Sequence, residues 1–273
     1  MDKPELFLCP VCGLCLDKKI NNSYYCANNH CYDRAKSGYL NLLPVNKKNS
    51  VSPGDNKEMI SARVSVMNKG YYSVLADTVI DKLKVIRVDR ILDAGCGTGY
   101  IAGRLKSAFK DSEVIGTDIS KFAIEQASKK YKEVAFAVAS SYRLPIEDKS
   151  CDCVICAFAP VYAREFARIS KDGGYFLRIV PGEKHLIKLK EFLYEVPRLN
   201  EDEPTETEGF EFLEKRFAES EIFFNADELC DLVKMTPYYY HTPQSALNRL
   251  KESVGMNVNT QFEIRIYRKS LTH

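Results

Sequence analysis

Short apolar runs and helical patterns alternate along the middle of the chain. A helical pattern over about Met59–Val85 precedes the first run, and further helices are predicted up to about Phe109, at Lys121–Tyr131 and at Val161–Ser170. The runs that predict strands begin at Arg90, Glu113, Glu133, Asp152 and Tyr175. Strands and helices that alternate at this spacing predict parallel βαβ units, and therefore an α/β fold with a doubly wound sheet.

Two segments nearer the carboxyl terminus depart from this alternation. Gln261–Tyr267 has an apolar residue at every second position, which predicts an antiparallel strand with one face in solvent. Asn200–Glu214 is acidic and is interrupted by Pro and Gly, so we predict a solvated loop over about residues 198–214.

Composition limits the class of protein. The 273 residues are 45% hydrophobic and 28% charged, which argues against a disordered, fibrous or membrane-spanning chain. A net charge of +2 gives no overall field that would attract a polyanion, so any nucleic-acid site has to be a local patch. Residues 1–50 are the basic end, with seven Lys or Arg against four Asp or Glu.

Five of the ten cysteines fall within the first 31 residues. Residues 1–8 contain no secretory apolar stretch, so we expect a cytoplasmic protein with reduced thiols that serve as metal ligands. Cys9-Pro-Val-Cys12 and Cys26-x3-His30 can complete a closed tetrahedral site, which is typical of structural zinc. Cys15 extends the run to Cys-x2-Cys-x2-Cys, so an iron–sulfur cluster is an alternative to zinc. Buried cysteines that bind no metal are a second alternative. Cys31 has no assigned role.

An N-terminal segment of about 40 residues cannot bury enough surface to fold alone. Zinc binding, worth roughly 10–16 kcal/mol, would therefore supply most of its stability. Its surface carries cations interleaved with aromatic rings, a combination suited to an RNA loop. These residues are Lys18, Lys19, Tyr24, Tyr25, Tyr32, Arg34, Lys36 and Tyr39. Solvated lysines and core tyrosines would explain the same pattern.

A glycine turn, Asp93-Ala-Gly95-Cys-Gly97-Thr-Gly99, follows the first predicted strand. It lacks the third glycine position of the dinucleotide fingerprint and the Gly-Lys-Ser/Thr of a P-loop, so neither nicotinamide binding nor nucleotide hydrolysis is favoured. The turn resembles motif I of class I S-adenosylmethionine-dependent methyltransferases, although an ordinary tight loop would also fit. Asp118, at the end of the second strand, is expected to accept hydrogen bonds from both ribose hydroxyls. Asp93 is expected to shape the turn by accepting backbone N–H groups.

The segment after the fourth predicted strand reads Ala157-Phe158-Ala159-Pro160. Methyltransferases that act on exocyclic amines of bases usually carry Asn/Asp-Pro-Pro-Tyr/Phe there. The difference makes a ring nitrogen, carbon or oxygen the favoured methyl acceptor.

Nearly the whole chain resembles the bacterial 23S rRNA guanine-N1 methyltransferases, the RlmA-like family. The motifs that carry the resemblance are Cys9-Pro-Val-Cys12, Cys26 to His30, Ala35-Lys-Ser-Gly-Tyr-Leu-Asn-Leu-Leu, the glycine turn, Asp118-Ile-Ser-Lys, Pro181-Gly-Glu-Lys-His185-Leu and Met235-Thr-Pro. The resemblance implies a zinc-binding, RNA-recognition module over residues 1–45, and a linker and helical lead-in over 46–88. A Rossmann-like class I domain with a mostly parallel seven-stranded sheet would follow over 89–273.

The resemblance also implies an activity: transfer of a methyl group from S-adenosylmethionine to N1 of a guanine in a hairpin loop of 23S rRNA. It places zinc on Cys9, Cys12, Cys26 and His30. It adds Tyr72, Thr98 and His185 to the cofactor residues Asp93, Gly95, Gly97 and Asp118 of the turn pattern. The family tends towards dimers with paired N-terminal modules, which favours a homodimer here. The lack of a long uncharged apolar run predicts no membrane partner. Two other functions would share the glycine turn: a small-molecule methyltransferase, and a non-catalytic RNA-binding protein that senses the cofactor.

Overall fold

The computed structural model describes residues 6–44 and 57–271. The boundary expected between residues 45 and 46, and most of the proposed linker before the first helix, lie outside the described residues. The N-terminal module, residues 6–44, contains a small antiparallel sheet of β1 (Lys18–Ile20), β2 (Ser23–Tyr25) and β3 (Cys31–Asp33).

A second sheet of eight strands has the order β10-β11-β9-β8-β5-β6-β7-β4. Its strands are β4 (Leu40–Asn41), β5 (Arg90–Ala94), β6 (Glu113–Asp118), β7 (Ala135–Val138), β8 (Cys151–Ala157), β9 (Ser170–Pro181), β10 (Phe210–Phe224) and β11 (Met256–Lys269). The pairs from β4 to β9 are parallel, and β11 is antiparallel to both its neighbours. The mostly parallel Rossmann-like sheet of seven strands is thus confirmed, and β4 adds an eighth strand at one edge.

Within the described residues, eight α-helices accompany this sheet. They are α1 (Lys57–Asn68), α2 (Ser73–Lys84), α3 (Tyr100–Ala108), α4 (Lys121–Lys130), α5 (Ala163–Ile169), α6 (Ile187–Leu193), α7 (Ala226–Lys234) and α8 (Gln244–Glu252), and a 3-10 helix lies at Pro237–His241. Each long helix buries an apolar stripe, as α2 does with Leu75, Val79 and Leu83. None of the helices in the described residues is long and apolar enough to cross a bilayer.

The single helix expected over Met59–Val85 is two helices. Gly70 adopts φ 89° after α1, and its N–H donates to the Met67 carbonyl at 3.0 Å. A glycine in the left-handed region ends a helix with little strain, so the helical pattern continues through a break. The break places Tyr71 and Tyr72 at the start of α2.

The acidic segment is a loop over only part of the predicted range, because Phe210–Glu214 belongs to β10. This strand lies at the edge of the sheet and exposes many charged side chains, a common protection of sheet edges that reads as a loop in sequence. The buried guanidinium of Arg265 holds the loop before β10. This guanidinium donates to the carboxylate of Asp202 at 2.9 Å and to the Glu203 carbonyl at 2.8 Å.

The N-terminal module and the large sheet share one buried cluster. Strand β4 pairs with β7, and the N–H of Leu8 donates to the Pro145 carbonyl at 2.8 Å. Phe7, Leu16 and Leu42 of the module pack in the same cluster as apolar residues of β5, β6 and β8. The module is therefore fixed against the carboxyl-terminal edge of β7 by backbone bonds and by apolar burial.

We expect Leu42→Ala to destabilise the whole chain by about 2–5 kcal/mol, because it opens a cavity in the shared cluster. Denaturant unfolding followed by circular dichroism and by zinc release should give coincident transitions, both shifted to lower denaturant. Leu14→Ala is the control, since Leu14 is in the same module but 41% exposed. Separate transitions, with only zinc release shifted, would show that the module unfolds independently.

Candidate cofactor cavity and metal centre

The glycine turn between β5 and α3 has three residues in the left-handed region: Gly95 at φ 78°, Gly97 at 53° and Gly99 at 74°. The N–H groups of Gly95 and Cys96 both donate to the Thr117 carbonyl, at 2.8 and 2.9 Å. A Cβ at Gly95 would lie 2.6 Å from the Ala159 Cβ, whereas one at Gly97 would meet open space. Gly95 is therefore required for packing, and Gly97 leaves the backbone open to a ligand.

Asp118 ends β6 and is held on both of its oxygens. Its Oδ2 accepts the N–H of Gly97 at 2.9 Å, and its Oδ1 accepts the N–H of Ser120 at 2.7 Å. Each carboxylate oxygen has a further lone pair, so the side chain can still accept hydrogen bonds from two ribose hydroxyls. The orientation of the carboxylate is thus fixed before a ligand binds.

Asp93 is buried at the end of β5, and neither of its carboxylate oxygens has a hydrogen-bond partner in the described part of the chain. Burial raises the pKa of Asp93 to about 7; the nearby Ala102 N–H opposes this rise without completing a hydrogen bond, and the charge of Asp118 adds to it. The expected hydrogen bonds from the turn to Asp93 are therefore not formed. An unpartnered carboxylate suits a cationic group such as the ammonium of S-adenosylmethionine.

A cavity of about 380 Å³, called here the central cavity, lies at the carboxyl ends of β5, β6 and β8. This edge is where open α/β sheets bind ligands. Five of the predicted cofactor residues line it: Tyr72, Asp93, Gly95, Gly97 and Asp118. Lining residues that the sequence did not single out as ligands include Arg63, Met67, Ser140, Ser141, Phe158 and Tyr162.

Thr98 and His185 are not among the residues that line the central cavity. The hydroxyl of Thr98 donates to the Met67 sulfur at 3.1 Å, and Met67 itself lines the cavity. His185 is buried, with its Nε2 2.9 Å from the Tyr71 hydroxyl and its ring 4.7 Å from that of Phe262. Burial lowers the pKa of His185 to about 4, so the imidazole is neutral at pH 7. Direct contact of either residue with the cofactor stays a prediction.

Phe158 forms an aromatic wall of the cavity that sequence reasoning missed. Its ring stacks on Tyr72 with centroids 5.6 Å apart and an interplanar angle of 18°. Phe158 has φ 56°, a conformation that costs a bulky side chain roughly 1–3 kcal/mol. The sequence shows that this segment departs from Asn/Asp-Pro-Pro-Tyr/Phe. It does not show the backbone conformation that turns the Phe158 ring towards Tyr72.

Cys9, Cys12, Cys26 and His30 have ligand atoms that all lie within 4.8 Å of one another. The Cys12 and Cys26 sulfurs are 3.6 Å apart, close to the edge of about 3.8 Å that Zn–S bonds of about 2.3 Å give in a tetrahedron. Three thiols and one imidazole are a donor set typical of structural zinc. Burial raises the pKa of Cys9, but hydrogen bonds from Tyr32 and from two backbone N–H groups bring it down to about 7.

The two other cysteines of the module, Cys15 and Cys31, are exposed and outside this cluster. A cluster built on Cys-x2-Cys-x2-Cys would need the Cys15 sulfur beside those of Cys9 and Cys12. Within the described residues the fourth partner of the three thiols is instead His30. The geometry therefore favours zinc over an iron–sulfur cluster.

Two family models match the chain: one described as RlmA, N-terminal, over residues 7–51, and one described as Methyltransferase domain, over residues 91–174. YxjB of Bacillus subtilis, provisionally named as a 23S rRNA (guanine-N1)-methyltransferase, is 28% identical over 96% of both chains. The 23S rRNA (guanine(748)-N1)-methyltransferase of Streptomyces fradiae is 27% identical over 91% of both chains. The chain thus carries an RlmA-type N-terminal zinc ribbon and a methyltransferase domain, and over most of its length it is similar to 23S rRNA (guanine-N1)-methyltransferases.

The same matches confirm the two predicted cofactors of this RlmA-like chain, S-adenosylmethionine and a structural zinc ion. The residues present fit both. The central cavity has an unpartnered buried carboxylate and an open glycine backbone, and the module has a cluster of three sulfurs and one nitrogen.

Among solved structures, the YcgJ protein from Bacillus subtilis is 18% identical and covers 72% of this chain and 98% of its own, with a TM-score of 0.46.

We expect Asp118→Asn to weaken S-adenosylmethionine binding roughly 10- to 100-fold, because an amide cannot accept all the hydrogen bonds that a carboxylate accepts. Isothermal titration calorimetry measures the change. Glu125→Gln on α4 is the matched control, since its carboxylate pairs with Lys129 on the surface. Equal affinities of the two variants would contradict the ribose role of Asp118.

We expect Cys26→Ser to lose bound zinc and to lower the unfolding temperature, because a closed site with one weak ligand holds the metal poorly. Cys31→Ser changes an exposed thiol five residues later and should keep one zinc per chain. Inductively coupled plasma mass spectrometry of the purified variants gives the stoichiometry. Iron in the wild-type protein, or zinc loss from Cys31→Ser, would overturn this assignment.

Proposed function

We propose that this protein transfers a methyl group from S-adenosylmethionine to N1 of a guanine in a hairpin loop of 23S rRNA. The observation that carries the proposal is a large cleft that joins the central cavity to the N-terminal module. This module cleft has a volume of about 1340 Å³, and Leu8, Cys9 and Gly13 of the module line it. It shares Ile119, Ser140 and Tyr162 with the central cavity.

A cleft of this volume has room for more than a small metabolite, since pockets for drug-sized ligands measure about 300–1,000 Å³. One wall is the zinc-bound knuckle and the other is the catalytic domain, so a bound molecule would contact both parts of the chain. A folded loop of RNA is a substrate that needs such a surface. The names of the relatives from Bacillus subtilis and Streptomyces fradiae support the same substrate class.

The segment at the end of β8 indicates which kind of atom accepts the methyl group. Ala157-Phe158-Ala159-Pro160 contributes no side-chain amide or carboxylate that could bind an exocyclic amine by hydrogen bonds. It contributes an aromatic ring and small residues, and Ala159 packs directly on the glycine turn. This surface suits a flat ring that offers a ring nitrogen to the cavity.

When bound, S-adenosylmethionine supplies a methyl group on a sulfonium, which is a good leaving group. Guanine N1 forms the new bond to the methyl carbon, the S–C bond breaks, and the N1 proton has to leave. Because N1 lies on the pairing edge, the base must be unstacked and turned out before it can react. The protein's contribution is to hold Asp118, the glycine turn and the base in fixed positions. The methyl group and the acceptor nitrogen are then close enough to react.

The proposal extends to the setting of the reaction. A substrate in the large ribosomal RNA places the protein in the cytoplasm. Two copies with paired N-terminal modules would offer one wider surface to the RNA hairpin. Tyr72, Asp93, Gly95, Gly97, Thr98, Asp118 and His185 are proposed to serve the cofactor, and Cys9, Cys12, Cys26 and His30 the zinc.

Primer extension on a 23S rRNA fragment incubated with the protein and S-adenosylmethionine tests this function. Since N1 methylation blocks the pairing edge, reverse transcription should stop beside one guanine of the hairpin loop. Reactions without S-adenosylmethionine, and reactions with Asp118→Asn at limiting cofactor, should lack or weaken the stop. Methyl transfer to metabolite extracts without any to the RNA would support a small-molecule enzyme. RNA binding without methyl transfer to either would support a non-catalytic sensor.

A further inference from the structure

The turn that follows β7 carries an exposed aromatic ring beside an exposed cation, at the point where the central cavity meets the module cleft. Tyr142 and Arg143 line the module cleft, and the preceding Ser140 lines both spaces. A molecule in the module cleft that reacts with the contents of the central cavity has to pass this junction. The proposed reaction therefore brings its base next to this turn.

Tyr142 is 68% exposed, although its ring is large and mostly apolar. Its backbone is nevertheless fixed, because the N–H of Tyr142 donates to the Ser140 hydroxyl at 3.3 Å and the N–H of Arg143 donates to the Ser140 carbonyl at 3.2 Å. The ring is supported by Tyr162, with centroids 5.7 Å apart and an interplanar angle of 83°. A T-shaped contact occupies at most one face of Tyr142, so a face is left for stacking.

The charge next to this ring is available to a ligand. Of the three arginines that line the module cleft, Arg164 is paired with Glu208, and Arg168 is paired with Glu165 and Asp148. Within residues 6–44 and 57–271, the Arg143 guanidinium forms neither an ion pair nor a hydrogen bond, and it is exposed. An unpaired guanidinium beside a stacking face is the combination that binds single-stranded nucleic acid.

We infer that the base to be methylated stacks on Tyr142 while Arg143 binds a phosphate of the same RNA strand. This inference rests on the proposed function and deepens it, since it names the residues that receive the turned-out base. Tyr162 is a positioning residue, because it lines both cavities and holds the ring of Tyr142 at the junction. The stacking face favours a flat base, and it does not by itself distinguish guanine from adenine.

The test compares steady-state methylation of a 23S rRNA hairpin transcript by Tyr142→Ala, Tyr142→Phe and the wild-type protein. Base stacking on an aromatic ring predicts a loss of about 5- to 150-fold in kcat/KM for Tyr142→Ala. Tyr142→Phe keeps the ring and should restore most of the activity. Affinity for S-adenosylmethionine, measured by calorimetry, should be unchanged in both variants, which also shows that they are folded.

Tyr240→Ala is the matched control, because Tyr240 is 67% exposed and forms a similar T-shaped pair with Tyr239 at 5.4 Å, and neither residue lines either cavity. It should match the wild type. Arg143→Ala should raise the KM for RNA and lower the slope of log KM against log salt by about one.

Wild-type kcat/KM in Tyr142→Ala, with the wild-type enzyme active, would overturn this inference and leave the proposed function intact. A loss in Tyr142→Ala that Tyr142→Phe does not restore would also overturn it, because the hydroxyl and not the ring would then be required. An inactive wild-type protein on the RNA would overturn the proposed function, and this inference with it.

Discussion

The hydrogen bond from the Gly97 N–H to the Asp118 carboxylate, 2.9 Å long, is the interaction on which the cofactor site depends. It joins the turn after β5 to the end of β6, and two further bonds to the Thr117 carbonyl support the same junction. The three left-handed glycines make this possible, since a side chain at Gly95 would collide with Ala159. Because the turn follows β5 and Asp118 ends the neighbouring parallel strand β6, the sheet holds the proposed ribose ligand and the open backbone in register.

The N-terminal module is positioned by the same sheet. Strand β4 continues the parallel register beyond β7, and the shared apolar cluster under it includes the proposed zinc ligands Cys9 and Cys26. A zinc ion bound there would stabilise a knuckle whose residues Cys9, Pro10 and Gly13 line the module cleft. Metal binding would therefore support the wall of the cleft through packing.

Much of this arrangement could be predicted from local sequence. Parallel strands, the glycine turn, Asp118 and the Cys/His cluster are local or motif-based signals, and all of them are found where they were expected. The pairing of β4 with β7 and the edge strand β10 depend on contacts between distant segments, which hydrophobic periodicity does not report. The left-handed backbone of Phe158 and the burial of His185 behind Tyr71 are set by tertiary packing, so a motif match could give their positions but not their surroundings.

Two features of the central cavity work against the stability of the ligand-free protein. The buried carboxylate of Asp93 has no hydrogen-bond partner in the described residues, and Phe158 holds a backbone conformation that an aromatic residue rarely adopts. Both costs fall on residues that line the central cavity, and a cation bound beside Asp93 would relieve the first of them. Since the surrounding sheet and the bond from Gly97 to Asp118 fix the backbone, the cavity cannot collapse around Asp93 to satisfy it. The fold therefore keeps a buried carboxyl group without a partner in place, and a positively charged ligand beside it would favour the ionised form and gain binding energy from it.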